Sequence, residues 1–193
     1  MVGWKTAGHE VRYALAAGLL RPGDVVVDAA CGIGYGALVL DAHDDVTYYG
    51  VDRDISVVAV KAHARRSFVE ADLETWQPSF EFDLAVGFET IEHLADYKPY
   101  LDWVRRARRY VVVSVPIIPT MHENVFHAHD FERDDLIQLI TADKEWRLFQ
   151  YFDQPWEKSC VYVFARPGVS PVEPGYFRRR GLARRALRKL RRR

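Results

Sequence analysis

The chain is poor in cysteine, with only Cys31 and Cys160 in 193 residues. One sits in a glycine-rich loop and the other in a strand-like run. They are a poor pair for a disulfide, so a reducing, cytoplasmic setting is expected. Long apolar runs are also missing, and none reaches the ~18 residues a membrane span needs. Met1–Glu10 lacks the apolar core of a secretory signal, and no internal repeat is visible. Net charge is zero, with 27 Lys plus Arg against 27 Asp plus Glu, but the balance is uneven. Ten of the basic residues fall in Arg178–Arg193, which has no acid, leaving 17 basic and 27 acidic residues before it. The body therefore carries about −10 and the tail about +10. The 49% hydrophobic content and five Trp suit one buried core.

The most informative segment is Val25-Val26-Val27-Asp28-Ala29-Ala30-Cys31-Gly32-Ile33-Gly34-Tyr35-Gly36. Its β-branched start predicts a buried parallel strand. An acid, a loop of small residues and a helix-like stretch from Ala37 follow. Small residues let backbone N–H groups approach a ligand, and a helix N-terminus favours anionic groups. The next strand-like run, Val46 to Val51, ends at Asp52, where a carboxylate could accept both hydroxyls of a ribose. Gly32-x-Gly34-x-x-Ala37 also fits a loose dinucleotide fingerprint. Asp28 weighs against that fingerprint, because it would repel a pyrophosphate and attract an ammonium group.

Strand-like runs lie near 25–28, 47–52, 67–70, 82–88, 110–115, 147–152 and 160–165. A helix is expected over about Glu10 to Leu19, and helical stretches alternate with the early strands. This alternation predicts an open α/β sheet with mostly parallel strands. The last two runs are separated only by a short Pro-containing connection and read as a closing antiparallel pair. The expected organisation is a domain over 1–166, a Pro/Gly linker over 167–177 and a basic tail over 178–193.

Glu89-Thr90-Ile91-Glu92-His93-Leu94 follows the fourth strand at its carboxyl end, where α/β folds place ligands. In a helix, Glu89, Glu92 and His93 would share one face. Two carboxylates and an imidazole there suit Mg²⁺ or Mn²⁺. After the fifth strand, His122, Glu123, His127, His129 and Asp130 fall within nine residues. Imidazoles near an acceptor site are candidate general bases.

The Asp28–Gly36 segment resembles the Asp-x-Gly-Cys-Gly-x-Gly pattern of class I S-adenosylmethionine (SAM)-dependent methyltransferases, with Ala30 where the family usually has Gly. The resemblance implies a Rossmann-like α/β fold, a seven-stranded sheet that is mostly parallel with a final antiparallel strand. Glu70-Ala71-Asp72-Leu73 falls where that family sets a carboxylate against the adenine amine. His9-Glu10-Val-Arg12-Tyr13 resembles the Glu-His-x-x-Arg-Tyr segment of sugar and glycan methyltransferases. By that likeness Arg12 would pair with the methionine carboxylate and Tyr13 would line the sulfonium pocket. An ordinary amphipathic helix is the other reading. The implied SAM site comprises Arg12, Tyr13, Asp28, Ala30, Cys31, Gly32, Gly34, Asp52, Arg53, Asp72, Leu73 and Phe88.

Phe88–Leu94 resembles the Glu-x-x-Glu-His motif of ubiquinone-type O-methyltransferases and small-RNA terminal 2′-O-methyltransferases, which hold a divalent ion there. The RNA-enzyme comparison makes His129 a fourth ligand beside Glu89, Glu92 and His93. The alternative is a metal-free site in which Glu89 neighbours the cofactor. Asn124–Phe131 resembles a stretch of small bacterial methyltransferases from glycan and lipid pathways. The catalytic candidates are His93, His127 and His129, with His127 the base if His129 binds metal. The expected function is O-methylation of a saccharide or glycolipid-type hydroxyl. The alternatives are an RNA 2′-O-methyltransferase and a non-catalytic SAM-fold binding module.

No sizeable insertion is present to form a lid, so an open site or one completed by a homodimer partner is expected. In the tail, Leu182, Ala183, Ala186, Leu187 and Leu190 recur at helical spacing among arginines. That pattern suits a peripheral contact with an anionic membrane surface. Nucleic acid and a solvated tail are the alternatives.

Overall fold

The computed structural model describes residues 5–42 and 45–169. The basic tail, and the linker from residue 170 onward, lie outside the described residues. The elements are α1 (Lys5–Ala17), β1 (Val25–Ala29), α2 (Ala37–Leu40), β2 (Thr47–Asp52), β3 (Arg66–Glu70), β4 (Leu84–Phe88), α3 (Lys98–Val104), β5 (Tyr110–Pro116), α4 (Arg133–Thr141), β6 (Arg147–Gln154) and β7 (Ser159–Ala165). Seven strands form one sheet in the order β3-β2-β1-β4-β5-β7-β6. β1 to β5 pair in parallel. β7 runs antiparallel to both β5 and β6. It is the final antiparallel strand expected from the sequence.

Burial explains the strand sequences. Every residue of β4, β5 and β7 is buried, so these strands read as continuous apolar runs. The edge strand β3 has only half-buried and exposed positions, and β6 is half-buried or exposed up to the buried Gln154. β6 carries a register shift between Leu148 and Gln150, a bulge of the kind that discourages pairing at an open edge. One core layer packs Tyr100, Trp103, Leu136 and Trp146 on one face of the sheet. The other packs Tyr13, Leu20, Leu40 and Tyr48 on the opposite face. Among the described residues no helix is long and apolar enough to cross a membrane.

The helical alternation is weaker than expected. α2 has four residues. The β2–β3 connection holds only a 3₁₀ turn at Ile55–Val57, within a run rich in β-branched Val57, Val58 and Val60. Those residues lose side-chain freedom in a helix. The β3–β4 connection contains Pro78 and no helix. α4 begins at Arg133, with Glu132 and Asp135 closing a capping box. Asp135 is therefore engaged, whereas Asp134 is exposed.

Gly87 in β4 leaves room for the buried Tyr100 hydroxyl, which a Cβ at this position would strike. That hydroxyl has no hydrogen-bond partner. Gly87→Ala is therefore expected to destabilise the fold by about 1–3 kcal/mol through overpacking. Adding Tyr100→Phe should recover most of the loss in urea unfolding. No recovery would mean that the strain lies elsewhere.

Candidate active site

The site forms at the carboxyl ends of β1, β2 and β4, where a doubly wound sheet opens a crevice. The β1–α2 loop turns through left-handed backbone at Ala30 (φ 55°), Gly32 (φ 53°) and Gly34 (φ 78°). Ala30 thus holds a conformation that glycine adopts without a Cβ penalty, which accounts for glycine in the related pattern. At Gly34 a Cβ would lie 2.9 Å from the Phe68 ring. The loop is fastened to the end of β2. Cys31 N–H donates to the Val51 carbonyl at 3.1 Å, and Gly32 N–H donates to Asp52 Oδ2 at 2.8 Å.

Beside this loop lies a cleft of about 170 Å³. Ala30, Asp52, Arg53 and Leu73 line one part, and Glu89, Thr90 and His93 line another. Arg53 and Asp72 meet in an exposed ion pair at 3.2 Å. Asp72 also accepts the Glu74 N–H at 3.0 Å. The cleft therefore brings together the β2 acid, the β3-end apolar residue and the beginning of the Glu-x-x-Glu-His motif. Cys31 is buried, and burial with Asp28 and Asp52 nearby pushes its thiol well up, so it is not poised as a nucleophile.

Asp28 does not face this cleft as the sequence reading expects. It is wholly buried. Tyr48 donates to Oδ2 at 2.6 Å, and the Tyr13 hydroxyl lies 3.1 Å from both oxygens. Burial pushes its carboxyl up to about 7 against the opposing pull of the two hydroxyls. Asp28 ties α1 and β2 together beneath the loop. Tyr13 is likewise a core residue, 3% exposed and edge-on to Phe88 at 4.9 Å between ring centroids. Phe88 is buried against it.

Glu89 lies outside the helical face drawn for it. Its φ of 53° breaks the chain after β4, and only a 3₁₀ turn, Ile91–His93, follows. Its carboxylate is fully engaged. Oε1 receives Ser114 Oγ at 2.7 Å and faces Arg12 Nη1 at 3.0 Å, and Oε2 receives Ser159 Oγ at 2.8 Å. Arg12 is completely buried and also donates Nε–H to Gln154 Oε1 at 2.6 Å. Nη1 is held in the Glu89 ion pair, and Nη2 has no partner. A buried guanidinium with spare donors beside the cleft suits an anionic ligand group.

Glu92, His93 and His127 do converge, each offering a ligand atom within 4.8 Å of the others. The two rings are edge-to-face at 4.6 Å. Both Glu92 carboxylate oxygens are buried with no hydrogen-bond partner. Burial, then the neighbouring Glu89 charge, push its carboxyl well above the ordinary range. Backbone N–H groups of Glu92 and Thr90 oppose this without closing hydrogen bonds. Burial and His93 shift the His127 imidazole downward.

The expected metal set of Glu89, Glu92, His93 and His129 is therefore redrawn. Glu89 is committed to Arg12 and two serines. His129 turns away, with Nε2–H donating to the Ala95 carbonyl at 3.3 Å and its ring against Tyr97 at 4.9 Å. His127, rather than His129, is the imidazole that converges with Glu92 and His93. Orphaned carboxylate oxygens beside two imidazoles fit a divalent cation. With one carboxylate rather than two, the set suits Mn²⁺ better than Mg²⁺.

Ser159, Gln154 and Thr120 gave no sequence signal, because each acts through a partner distant along the chain. Ser114 did leave one, as a hydroxyl inside the apolar run Val111-Val112-Val113-Ser114-Val115.

A protein-family model described as a methyltransferase domain matches residues 6–160. The chain belongs to the methyltransferase family. The chain is 31% identical over 148 residues to a probable S-adenosylmethionine-dependent methyltransferase of Mycolicibacterium smegmatis, covering 68% of this chain and 55% of that one. It is 30% identical over 125 residues to a phosphoethanolamine N-methyltransferase of Triticum aestivum, covering 59% of this chain and 25% of that protein. It thus spans about half, or less, of the curated relatives' lengths. The fold matches N-methyltransferase NodS of Bradyrhizobium japonicum, solved with S-adenosyl-L-homocysteine, with a TM-score of 0.65 and 16% identity. That match covers 84% of this chain and 86% of NodS.

Proposed function

We propose that this methyltransferase transfers the methyl group of SAM to a hydroxyl of a saccharide or glycolipid-type acceptor, with a divalent cation held by Glu92, His93 and His127. The observation that carries the reading is the buried, unpartnered Glu92 carboxyl facing two imidazoles next to a cleft that starts at Asp52. SAM supplies a methyl already activated on a sulfonium. Glu92, His93 and His127 would hold the cation, whose charge would lower the hydroxyl's pKa, so that its proton leaves to solvent as the oxygen takes the methyl and S-adenosylhomocysteine departs.

The chain's own residues do the rest. Asp52 accepts the ribose hydroxyls, and Ala30 and Leu73 enclose the adenosine. Arg12, whose Nη1 pairs with Glu89, meets the methionine carboxylate through its unpartnered Nη2. Glu92, His93 and His127 mark where the acceptor oxygen is held in line with the methyl group. The rim beside this position is open and apolar at Val125 and Phe126, 89% and 76% exposed, with the Phe126 carbonyl on His93. Such flat or aliphatic surfaces suit sugar rings and acyl chains.

The test is transfer of labelled methyl to glycan and glycolipid pools. Glu92→Gln and His127→Ala should each lower turnover by about 10²–10⁴-fold, in the range for lost acid–base or metal assistance. EDTA should do the same to the wild type, whereas His129→Ala should be mild. Full activity of Glu92→Gln in EDTA would remove the cation from the scheme. An amine acceptor is the second reading, favoured by the N-methyltransferases among the similar proteins. An N-methylated product formed equally well by Glu92→Gln would select it.

A further inference from the structure

The loop after β5 carries Thr120, His127 and Asp130 as one hydrogen-bonded group. We infer that Thr120 is a positioning residue that sets the tautomer of His127, so that both imidazoles of the cluster keep Nε2 as the free lone pair before any cation arrives. The inference takes its significance from the cation-assisted reading above, but its geometry stands apart from it.

His93 shows the principle. Its Nδ1 lies 3.0 Å from the Phe126 carbonyl oxygen. A carbonyl only accepts, so Nδ1 carries the hydrogen. A neutral imidazole has one N–H, and Nε2 is left as the lone pair.

At His127 the partner of Nδ1 is a hydroxyl, Thr120 Oγ1, at 2.7 Å. A hydroxyl donates or accepts, so a third group must decide the direction. That group is Asp130. Its Oδ1 receives the Thr120 N–H at 2.7 Å and the Met121 N–H at 3.1 Å. It also lies 3.5 Å from Thr120 Oγ1. These backbone donors hold the exposed carboxyl below its ordinary range. It is therefore ionised at neutral pH and accepts only. The Thr120 hydroxyl hydrogen points to Asp130, and its lone pairs face His127 Nδ1–H. The order Asp130, Thr120, His127 thus leaves Nε2 bare.

The loop is also anchored to the motif it serves. Ala128 and His129 N–H groups donate to the Glu92 carbonyl at 2.8 and 3.3 Å. One loop therefore orients both rings, through a main-chain carbonyl at His93 and a side-chain relay at His127. Outer-shell partners of this kind fix ring orientation and tautomer at metal sites.

The experiment uses the full chain with its histidines ¹⁵N-labelled, free of divalent cations and at mildly alkaline pH. Long-range ¹H–¹⁵N spectra report which nitrogen of each ring carries hydrogen. Wild type and Thr120→Ser should show Nδ1–H at both His93 and His127. Thr120→Val should leave His93 unchanged and turn His127 into a mixture or the opposite tautomer. Calorimetry with Mn²⁺ should then show binding about tenfold weaker in Thr120→Val, restored in Thr120→Ser. Unchanged S-adenosylhomocysteine affinity in Thr120→Val would show that the fold and cofactor cleft are intact. An Nε2–H tautomer at His127 in wild type, or no change in Thr120→Val, overturns the inference. If Mn²⁺ fails to bind wild type while the tautomer pattern holds, the cation reading fails and the inference stands.

Discussion

Asp52→Ala should weaken S-adenosylhomocysteine binding about 100-fold, or roughly 3 kcal/mol, in calorimetric titration. Asp52 has two tasks at one position. Its Oδ2 fastens the β1–α2 loop through Gly32 N–H at 2.8 Å, and its Oδ1 holds Asp54 N–H at 3.1 Å. The same carboxylate lines the cleft where a ribose would sit. Alanine removes the charged acceptor and releases the loop together. Asp52→Asn should retain part of the loop contact and lose less. Equal affinity in wild type and Asp52→Ala would place the nucleoside elsewhere.

Asp28→Asn should stabilise the protein at pH 8. The carboxyl ionises near 3.8 in the unfolded chain and at about 7 when folded. Between those values the native state holds a proton that the unfolded state has released. Stability therefore falls as pH rises through that window, and the full cost is present above about pH 7. The gap corresponds to at most roughly 4 kcal/mol. Asparagine keeps the size and an acceptor for Tyr48 or Tyr13 while removing the buried charge. Urea unfolding should show the variant's advantage at pH 8 and its decline below pH 5. Wild-type stability that does not change between pH 5 and 8, with no gain in Asp28→Asn, would show that Asp28 ionises normally despite its burial.

The two acids also show where sequence reasoning succeeds and where it stops. The strands were legible because β1, β5 and β7 are buried on both faces and must be written as apolar runs. Asp52 was legible because it ends such a run. Asp28 also ends one, yet its role depends on Tyr13 and Tyr48 closing over it, and no local pattern records that closure. The Glu-x-x-Glu-His spacing suggested a helical face. A left-handed residue at Glu89 replaced it with a single tight turn and sent that side chain toward Arg12. Choosing between His127 and His129 was beyond the sequence, since the loop that carries them has no periodicity. Their directions are set by Thr120 and the Ala95 carbonyl.

The most direct test of the account is a crystal structure of the chain with S-adenosylhomocysteine bound. The adenosine is expected in the cleft between Asp52 and Leu73, the homocysteine carboxylate on Arg12, and the sulfur directed toward Glu92, His93 and His127. A ligand bound outside that cleft, or one whose sulfur points away from the three residues, would contradict it.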